Sequence, residues 1–242
     1  MPKLTLPLTA RREVAEGTMS FTFSLEGRHY AFRPGQYNMV TLSTLLHQDE
    51  KGNTRPFSIA SSPRDPFILI ATRMRGSAFK RTLAEIPLGT PVDFTGPLGS
   101  FTLPRDATRP IVLIAGGIGI TPFRSMIKHA TEQTLPHKLT LLYANRTPRE
   151  APFLEEFQEW ERENPNFTFI PTMTKAGTVE PRWTGRTGYI GAAFLRDALE
   201  NVDRPAFYVA GPPGMVDGVT RALVDAGAAE DRIRTEQFSG YE

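Results

Sequence analysis

The sequence contains no cysteine. This absence excludes disulfide bonds, iron–sulfur clusters held by thiolates of this chain, thiolate zinc sites and a cysteine nucleophile. The formal net charge is only +2, and there is no basic tract with interleaved aromatic residues, which argues against nucleic-acid binding. No stretch is long and apolar enough to span a bilayer, and the N-terminus lacks the apolar core of a signal peptide. We therefore expect a cytoplasmic protein with no nucleic-acid or membrane partner.

Histidine is also scarce. The four histidines lie too far apart for metal-ligand spacing, so we predict no metal site and four surface histidines. With 242 residues, the chain has room for one large domain or two modest ones, with ample core.

The pattern of apolar residues changes near residue 105. The first part has short alternating segments divided by turns and one helical stretch at 78–86, which is typical of an antiparallel β-barrel. Strands are predicted there at 19–25, 37–42, 57–60, 67–72 and 91–95. In the second part apolar runs alternate with helical stretches, which predicts a doubly wound α/β domain with a parallel sheet. The predicted domains are 1–105 and 106–242.

In the second part, the strands are predicted at 111–115, 139–144, 167–171, 206–210 and 232–236. The helical stretches are predicted at 121–133, 151–163, 191–200 and 213–226.

A buried-strand pattern leads into a glycine-rich turn near the middle of the chain. Ile111–Ala115 is continuously apolar, and Gly116, Gly117 and Gly119 follow it directly. Thr121 suits the start of a helix. A strand, a glycine turn and a helix N-terminus form an anion site, because free N–H groups and the helix dipole both favour negative charge. A tight turn without a ligand explains the same residues.

Two short motifs in the first part are candidates for binding an anionic, aromatic ligand. Arg55-Pro56-Phe57-Ser58 combines a cation that can hold a pyrophosphate, a ring that can stack on a heterocycle, and a hydroxyl. Arg75-Gly76-Ser77 precedes the predicted helix and offers a second anion site, with Ser77 as a helix cap. The first motif is also explained by a surface arginine beside a core phenylalanine. The second is also explained by helix capping without a ligand.

Three further groups follow strands of the second part. Gly211-Pro212 lies where ligands bind in open α/β sheets, at the carboxyl end of a strand. Arg146 and Arg149 follow another strand, where arginine favours a ribose 2′-phosphate and an acidic residue would favour a free hydroxyl. Glu236, Phe238 and Tyr241 end the chain, where a carboxylate with nearby aromatic residues could complete a site. The alternative for Gly211-Pro212 is a rigid turn without a ligand. The alternative for the two arginines is solvated charge on a loop, and for the last group it is a frayed terminus.

Taken in order, these residues resemble the ferredoxin–NADP reductase superfamily over essentially the whole chain. The resemblance implies that Arg55 binds the flavin phosphates, that Phe57 packs on the isoalloxazine, and that Ser58 hydrogen-bonds near N5. Gly76 and Ser77 resemble the second pyrophosphate contact. The segment 116–122 resembles the nicotinamide-nucleotide loop, with Thr121 facing the nicotinamide.

Glu236 and Phe238 resemble the C-terminal acidic and aromatic pair of the family, with either Phe238 or Tyr241 covering the flavin. The implied catalytic residues are therefore Ser58, Thr121, Glu236 and Phe238. The implied cofactors are FAD and NAD(P)H, with a weak preference for NADPH because of Arg146.

The resemblance implies hydride transfer from nicotinamide C4 to flavin N5 across the cleft between the domains. The electrons then pass to a separate acceptor, which is a ferredoxin-like or oxygenase protein or a small molecule. Ala210 stands where many members have a cysteine near the hydride-transfer centre. This departure favours the alternative function, a flavin- and nucleotide-binding regulatory or adaptor subunit with little turnover.

Overall fold

The computed structural model describes residues 3–175 and 183–238. The chain divides into two compact units. The first runs to Leu103 and also includes Thr121–His129, and the second holds Pro104–Ile120 and the chain from Ala130 onward.

The first unit is an antiparallel β structure with one helix of its own. Its elements are β1 (Lys3–Ala15), β2 (Thr18–Ser24), β3 (Tyr37–Thr41), β4 (Thr54–Ser58), β5 (Phe67–Arg73), α1 (Ala78–Glu85) and β6 (Pro91–Leu98). The six strands form one sheet in the order β4-β3-β6-β1-β2-β5. Just beyond β4, the Ala60 amide donates to the Leu69 carbonyl on β5 at 2.8 Å, so the two edges meet and the sheet closes. The predicted antiparallel barrel is confirmed.

Two strands of this sheet differ from their predicted positions. The sequence does not predict β1 as one long strand, because its register with β2 shifts between Leu8 and Ala10 and again between Glu13 and Ala15. Each shift interrupts the apolar–polar alternation. The strand predicted at 57–60 lies at 54–58, because the following apolar residues are buried beyond the β3–β4 ladder.

The helix α2 (Thr121–Glu132) begins in the first unit. Its Arg124 donates through Nη1 to the Ala60 carbonyl at 2.6 Å. One residue later, the Ser125 hydroxyl donates to the Ser61 carbonyl, also at 2.6 Å. These hydrogen bonds hold the helix against the segment that follows β4.

The second unit alternates strands and helices. Besides the end of α2 it contains β7 (Ile111–Gly116), β8 (Leu139–Asn145), α3 (Leu154–Glu163), β9 (Phe167–Met173), β10 (Arg186–Thr187), α4 (Ala192–Ala198), β11 (Ala206–Gly211), α5 (Pro213–Asp225) and β12 (Ile233–Gln237). All pairings in its sheet are parallel, in the order β10-β9-β8-β7-β11-β12. Every residue of β7 is buried between β8 and β11, which explains its continuous apolar run. The predicted α/β domain with a parallel sheet is confirmed.

Two further predictions need correction. The helix predicted from residue 151 begins at Leu154, because Phe153 before it has a left-handed backbone with φ 62°. The prediction of four surface histidines is wrong for His137, which is 7% exposed and has Nε2 2.9 Å from the Pro104 carbonyl oxygen. In the described ranges, no helix combines the length and the hydropathy needed to cross a membrane.

Candidate functional site

Arg55, the cation of the first motif, extends from β4 into the loop that precedes this strand. Its Nη1 donates to the carbonyl oxygens of Lys51, Gly52 and Thr54 at 2.5–2.9 Å. Its Nη2 lies 3.3 Å from Oδ1 of Asp49. The side chain is 17% exposed, so its charge is only partly screened by water.

The N-terminus of α1, the second predicted anion site, binds a carboxylate of this chain. The Ala78 amide donates to Oδ2 of Asp49 at 2.9 Å, and this hydrogen bond lowers the pKa of the carboxyl. Ser77 occupies the N-cap position of α1, but its side chain makes no capping hydrogen bond, contrary to the prediction. Its buried Oγ has no hydrogen-bond partner among the described residues. Arg55 and the start of α1 therefore meet at one carboxylate, next to the exposed Arg75-Gly76.

Positive charge collects around this carboxylate. The guanidinium carbon of Arg55 lies 5.5 Å from the centre of the Phe79 ring. Burial lowers the pKa of the Lys80 ammonium, and the charges of Arg75, Arg55 and Lys51 lower it further. Because these cations repel one another, their grouping favours an anionic ligand.

The other residues of the first motif differ in exposure. Phe57 is 9% exposed and lies in the core, with its ring centre 5.7 Å from that of Phe79. Ser58 is 5% exposed and pairs with Tyr37 of β3. Pro56 is exposed on β4, whose paired neighbour in the strand order is β3 on one side only, and a residue without an N–H is tolerated there. The contacts of Phe57 and Ser58 with a flavin ring stay predictions.

In the second unit, two turns approach each other at the carboxyl ends of β7 and β11. The turn after β7 is a short 3₁₀ helix. A Cβ atom at Gly119 would lie 2.4 Å from the Ala210 carbonyl oxygen, at the start of the Gly211-Pro212 turn. A Cβ atom at Gly211 would lie 3.2 Å from the Gly116 amide nitrogen. Glycine is required at these positions because the backbone of one turn lies against the backbone of the other. We call the two turns, residues 116–120 and 210–212, the glycine cradle.

Side chains on other elements hold the glycine cradle in place. The Tyr143 hydroxyl of β8 is 3.2 Å from the Gly117 carbonyl oxygen, to which it donates. Met215 of α5 fills the space beside Gly116, where a Cβ atom would lie 2.2 Å from its sulfur. The turn passes directly into Thr121, which begins α2 and is 2% exposed.

Basic residues cluster at the end of β8. Arg146 and Arg149 are exposed there, and their pairing with the adenosine end of a nucleotide stays a prediction. The amide of Lys175, which follows β9, donates to the Arg146 carbonyl at 2.9 Å. Lys175 is exposed and adds a third cation to the two predicted arginines.

A carboxyl lies at the end of β12. Glu236 pairs with Ala210 of β11, and its buried Oε2 has no hydrogen-bond partner among the described residues. Burial raises the pKa of this carboxyl to about 7. The Phe238 amide donates to the Gly211 carbonyl at 2.9 Å, which brings the C-terminal pair to the glycine cradle. Tyr241, the alternative flavin cover, lies outside the described residues.

Sequence reasoning missed three residues of these sites. Asp49 lies in a polar loop that carries no local motif. Tyr143 is an ordinary core residue by pattern, with 0% exposure. Lys175 is 29 residues from Arg146 in the sequence and meets it only because β8 and β9 are parallel neighbours. Its position after a predicted strand was the only available signal.

The residues fit the two cofactors that the sequence implies. A pyrophosphate needs several positively charged or N–H donors, and Arg55, Ser77 and the Ala78 amide supply them around a position where a carboxylate is bound. A dinucleotide binds at the carboxyl ends of parallel strands, and Gly119 and Gly211 let the two turns at the ends of β7 and β11 come together there.

Family models match both units. Residues 5–103 match the oxidoreductase FAD-binding domain, and residues 113–221 match the oxidoreductase NAD-binding domain. The first match includes Arg55 and the start of α1, and the second includes both turns of the glycine cradle, whereas Glu236 and Phe238 lie beyond it.

Individual relatives agree with these matches. The propane 2-monooxygenase reductase component of Rhodococcus jostii is 28% identical over 227 residues, which cover 89% of this chain and 58% of that protein. This chain therefore spans less than two thirds of that relative. The crystal structure of the Amycolatopsis cytochrome P450 reductase GcoB has a TM-score of 0.82 and 27% identity, covering 98% of this chain and 70% of that one.

A Neisseria gonorrhoeae ferredoxin NADP⁺ reductase, solved with bound FAD and NADP, shares the fold. Its TM-score is 0.80 at 18% identity, with 97% of this chain and 98% of that chain covered.

The fold and the two family models define the class of proteins that join an oxidoreductase FAD-binding domain to an oxidoreductase NAD-binding domain, with FAD and NAD(P)H as cofactors. The chain belongs to the ferredoxin–NADP reductase superfamily, and the resemblance seen in its sequence is confirmed.

Proposed function

We propose that this chain is a reductase that transfers a hydride from NAD(P)H to bound FAD and passes the electrons to a separate acceptor. One observation carries the proposal. The same chain has a cluster of cations that can bind an anion at the start of α1 and a glycine cradle at the ends of β7 and β11. We assign residues 1–105 to FAD binding and residues 106–242 to nucleotide binding.

In the proposed FAD site, the pyrophosphate binds to Arg55 and to the start of α1, where Gly76 and Ser77 provide close approach and a hydroxyl donor. Arg75 adds positive charge beside them. Pro56 and Phe57 support the flavin ring system, and Ser58 hydrogen-bonds near its reactive nitrogen. Arginine suits the first task because its planar guanidinium can hold two phosphate oxygens at once.

In the proposed nucleotide site, backbone groups carry most of the binding. The residues assigned to it are Gly116, Gly117, Gly119, Thr121, Arg146, Gly211 and Pro212. Thr121 orients the nicotinamide, and Arg146 pairs with a 2′-phosphate when the nucleotide carries one. In this arrangement the pyrophosphate would bind to backbone N–H groups of the glycine turn and the start of α2.

FAD supplies the redox chemistry when bound, since a flavin accepts a hydride and releases electrons one at a time. The protein's part is to orient the reacting groups and keep water away from them. Glu236, with a pKa of about 7, holds its proton for part of the time near neutral pH. When Glu236 is protonated, its carboxyl is neutral, so no negative charge lies beside Phe238 and the glycine cradle.

For the acceptor we propose the oxygenase component of a multicomponent oxygenase. The names of two similar proteins support this choice, because one is the reductase component of a monooxygenase and the other a cytochrome P450 reductase. A ferredoxin-like protein and a small acceptor are the other candidates.

The test is anaerobic stopped-flow mixing of the purified flavoprotein with NADPH and, separately, with NADH. We expect rapid loss of the oxidised-flavin absorbance, and we expect FAD rather than FMN when the flavin is released by heat. A protein that binds no flavin, or that releases FMN, would contradict the proposal.

A flavin- and nucleotide-binding regulatory subunit is the second candidate. Ala210 favours it, because a fully buried methyl group stands where many family members place a cysteine beside the nicotinamide. Flavin that binds firmly but is reduced far more slowly than any physiological turnover would support this candidate. In that case, restoring the thiol in Ala210→Cys should accelerate flavin reduction.

A further inference from the structure

The loop between β3 and β4, residues 42–53, runs along α1 and is joined to it at several points. At the start of the helix, the first amide donates to Asp49 at 2.9 Å. Near the middle, the Leu46 amide donates to the Thr82 hydroxyl oxygen at 3.0 Å. At the end, Nε2 of His47 lies 2.6 Å from Oε2 of Glu85. The loop is therefore held over the helix along its length.

Asp49 makes several contacts within this attachment. Its Oδ1 accepts from the Lys51 amide at 2.9 Å and lies 3.3 Å from Nη2 of Arg55, while its Oδ2 accepts from the Ala78 amide. A carboxylate and a phosphate both present negatively charged oxygens to such donors. Asp49 therefore makes the contacts that a phosphate bound at this position would make.

The surroundings are suited to more negative charge than one carboxylate carries. Arg55, Arg75, Lys51 and Lys80 are close enough for their mutual repulsion to affect the protonation of the lysine on α1. One residue before the Ala78 amide that binds Asp49, the Ser77 hydroxyl oxygen is buried without a hydrogen-bond partner in the described chain. Both observations point to an anion larger and more highly charged than Asp49.

We propose that Asp49 is an internal competitor for the FAD pyrophosphate, bound to the same Arg55 and Ala78 donors, so that FAD binds only when the β3–β4 loop releases them. This inference rests on the proposed function, which assigns the pyrophosphate to these donors. The loop then neutralises the cations until FAD arrives, and it sets how fast and how tightly FAD binds.

The decisive variant is Asp49→Asn. It keeps the size of the side chain and one carbonyl acceptor for the Ala78 amide, but it removes the negative charge. The matched control is Glu50→Gln, which makes the same change of charge at the exposed neighbouring position. Thermal unfolding of both apo-variants shows whether either substitution disturbs the fold.

The measurement is FAD binding to the full-length apo-protein, followed by quenching of flavin fluorescence in stopped flow and at equilibrium. Riboflavin is the ligand control, since it has the flavin ring without phosphates. For FAD we expect Asp49→Asn to lower Kd about tenfold, the effect of losing one charge-assisted competing contact, with a faster association rate. Riboflavin binding should not change, and Glu50→Gln should leave both ligands unaffected.

Hydrogen exchange of the wild-type chain gives a second readout that needs no variant. If FAD displaces Asp49, the amides of residues 46–51 should exchange faster in the FAD complex than in the apo-protein. Slower exchange there would mean that the loop closes on FAD, and it would overturn the inference.

The binding data can overturn it as well. Unchanged or weaker FAD binding in Asp49→Asn would make Asp49 a support or a ligand of FAD, and an equal gain for riboflavin would show that the effect does not involve phosphate. If wild-type apo-protein does not bind FAD at all, the proposed function fails and the inference fails with it. If FAD binds but the variant shows no gain, only the inference fails.

Discussion

The two proposed cofactor sites are made from different kinds of groups. At the start of α1, charged side chains form the site, with Arg55 and Asp49 in direct contact. In the glycine cradle, backbone atoms form the site, and Gly119 lies against the end of β11. A site built from charges should respond to changes of charge and salt. A site built from backbone should respond to added volume, and this difference can be tested.

The largest effect should come from volume added to the glycine cradle. In Gly119→Ala the new methyl group would lie 2.4 Å from a buried backbone oxygen that has no room to move. We expect nucleotide binding and flavin reduction to fall on the order of 100-fold, as for a misplacement of about 1 Å in an active site. Overpacking should also destabilise the fold by about 1–3 kcal/mol. Stopped-flow reduction and thermal unfolding measure the two effects.

Gly218→Ala is the matched control, because a methyl group there meets nothing within 4 Å. Gly218 lies in the interior of α5, so alanine should stabilise the protein by up to about 1 kcal/mol. Equal losses in both variants would show that the cradle does not depend on close backbone approach.

The next effect concerns the carboxyl beside the glycine cradle. Burial raises the pKa of Glu236 to about 7 from an ordinary 4.5, so the folded state binds this proton more tightly than the unfolded state does. The bound proton therefore adds to the free energy of unfolding. This contribution is fully present below pH 4.5 and is lost as the pH rises through 7. The loss should amount to about 2–3 kcal/mol, and Glu236→Gln should abolish it.

Urea unfolding of the wild type and Glu236→Gln at pH 5 and pH 8 tests this prediction, the variant being the more stable of the two at the higher pH. Glu230→Gln, at an exposed carboxyl before β12, is the control and should follow the wild type. A pH dependence that survives in Glu236→Gln would assign it to another group.

At the proposed FAD site, removal of the Arg55 guanidinium should weaken the binding of FAD. Arg55→Ala should weaken FAD binding by about 1.5–3 kcal/mol, or roughly 10- to 100-fold, because hydrogen bonds to a charged group are lost. Arg55→Lys should recover only part of the affinity, since an ammonium cannot hold two oxygens in parallel. Equilibrium titration of apo-protein with FAD provides the values, and full flavin occupancy in Arg55→Ala would show that the motif is misassigned.

The smallest effect should be the choice of nucleotide. Arg146 is exposed, so screening limits its pairing with a 2′-phosphate to about 1–2 kcal/mol, on the order of a tenfold preference for NADPH. The preference should shrink in Arg146→Ala and at high salt. Arg162→Ala, on the exposed side of α3, is the control. Equal specificity constants for NADPH and NADH at low ionic strength would contradict this prediction.

The sequence was sufficient where the signal is local. The apolar run of β7, the glycine turn and the alternation of strands and helices predicted the parallel sheet, because burial on both faces of a strand leaves a continuous pattern. The order of the short motifs along the chain was sufficient to identify the superfamily. The bulged strand β1 was missed because each shift of register breaks the two-residue period.

Only the tertiary structure decided which distant residues meet. Nothing near Asp49 in the sequence shows that its carboxylate contacts both Arg55 and the Ala78 amide, 29 residues further along. Lys175 reaches Arg146 only because β8 and β9 are parallel neighbours. Local patterns record how each segment is buried, whereas contacts between segments depend on how the whole chain folds. For this reason the sequence identified the family and most proposed ligand residues, and the structure alone revealed the acid that contacts the proposed flavin-phosphate donors.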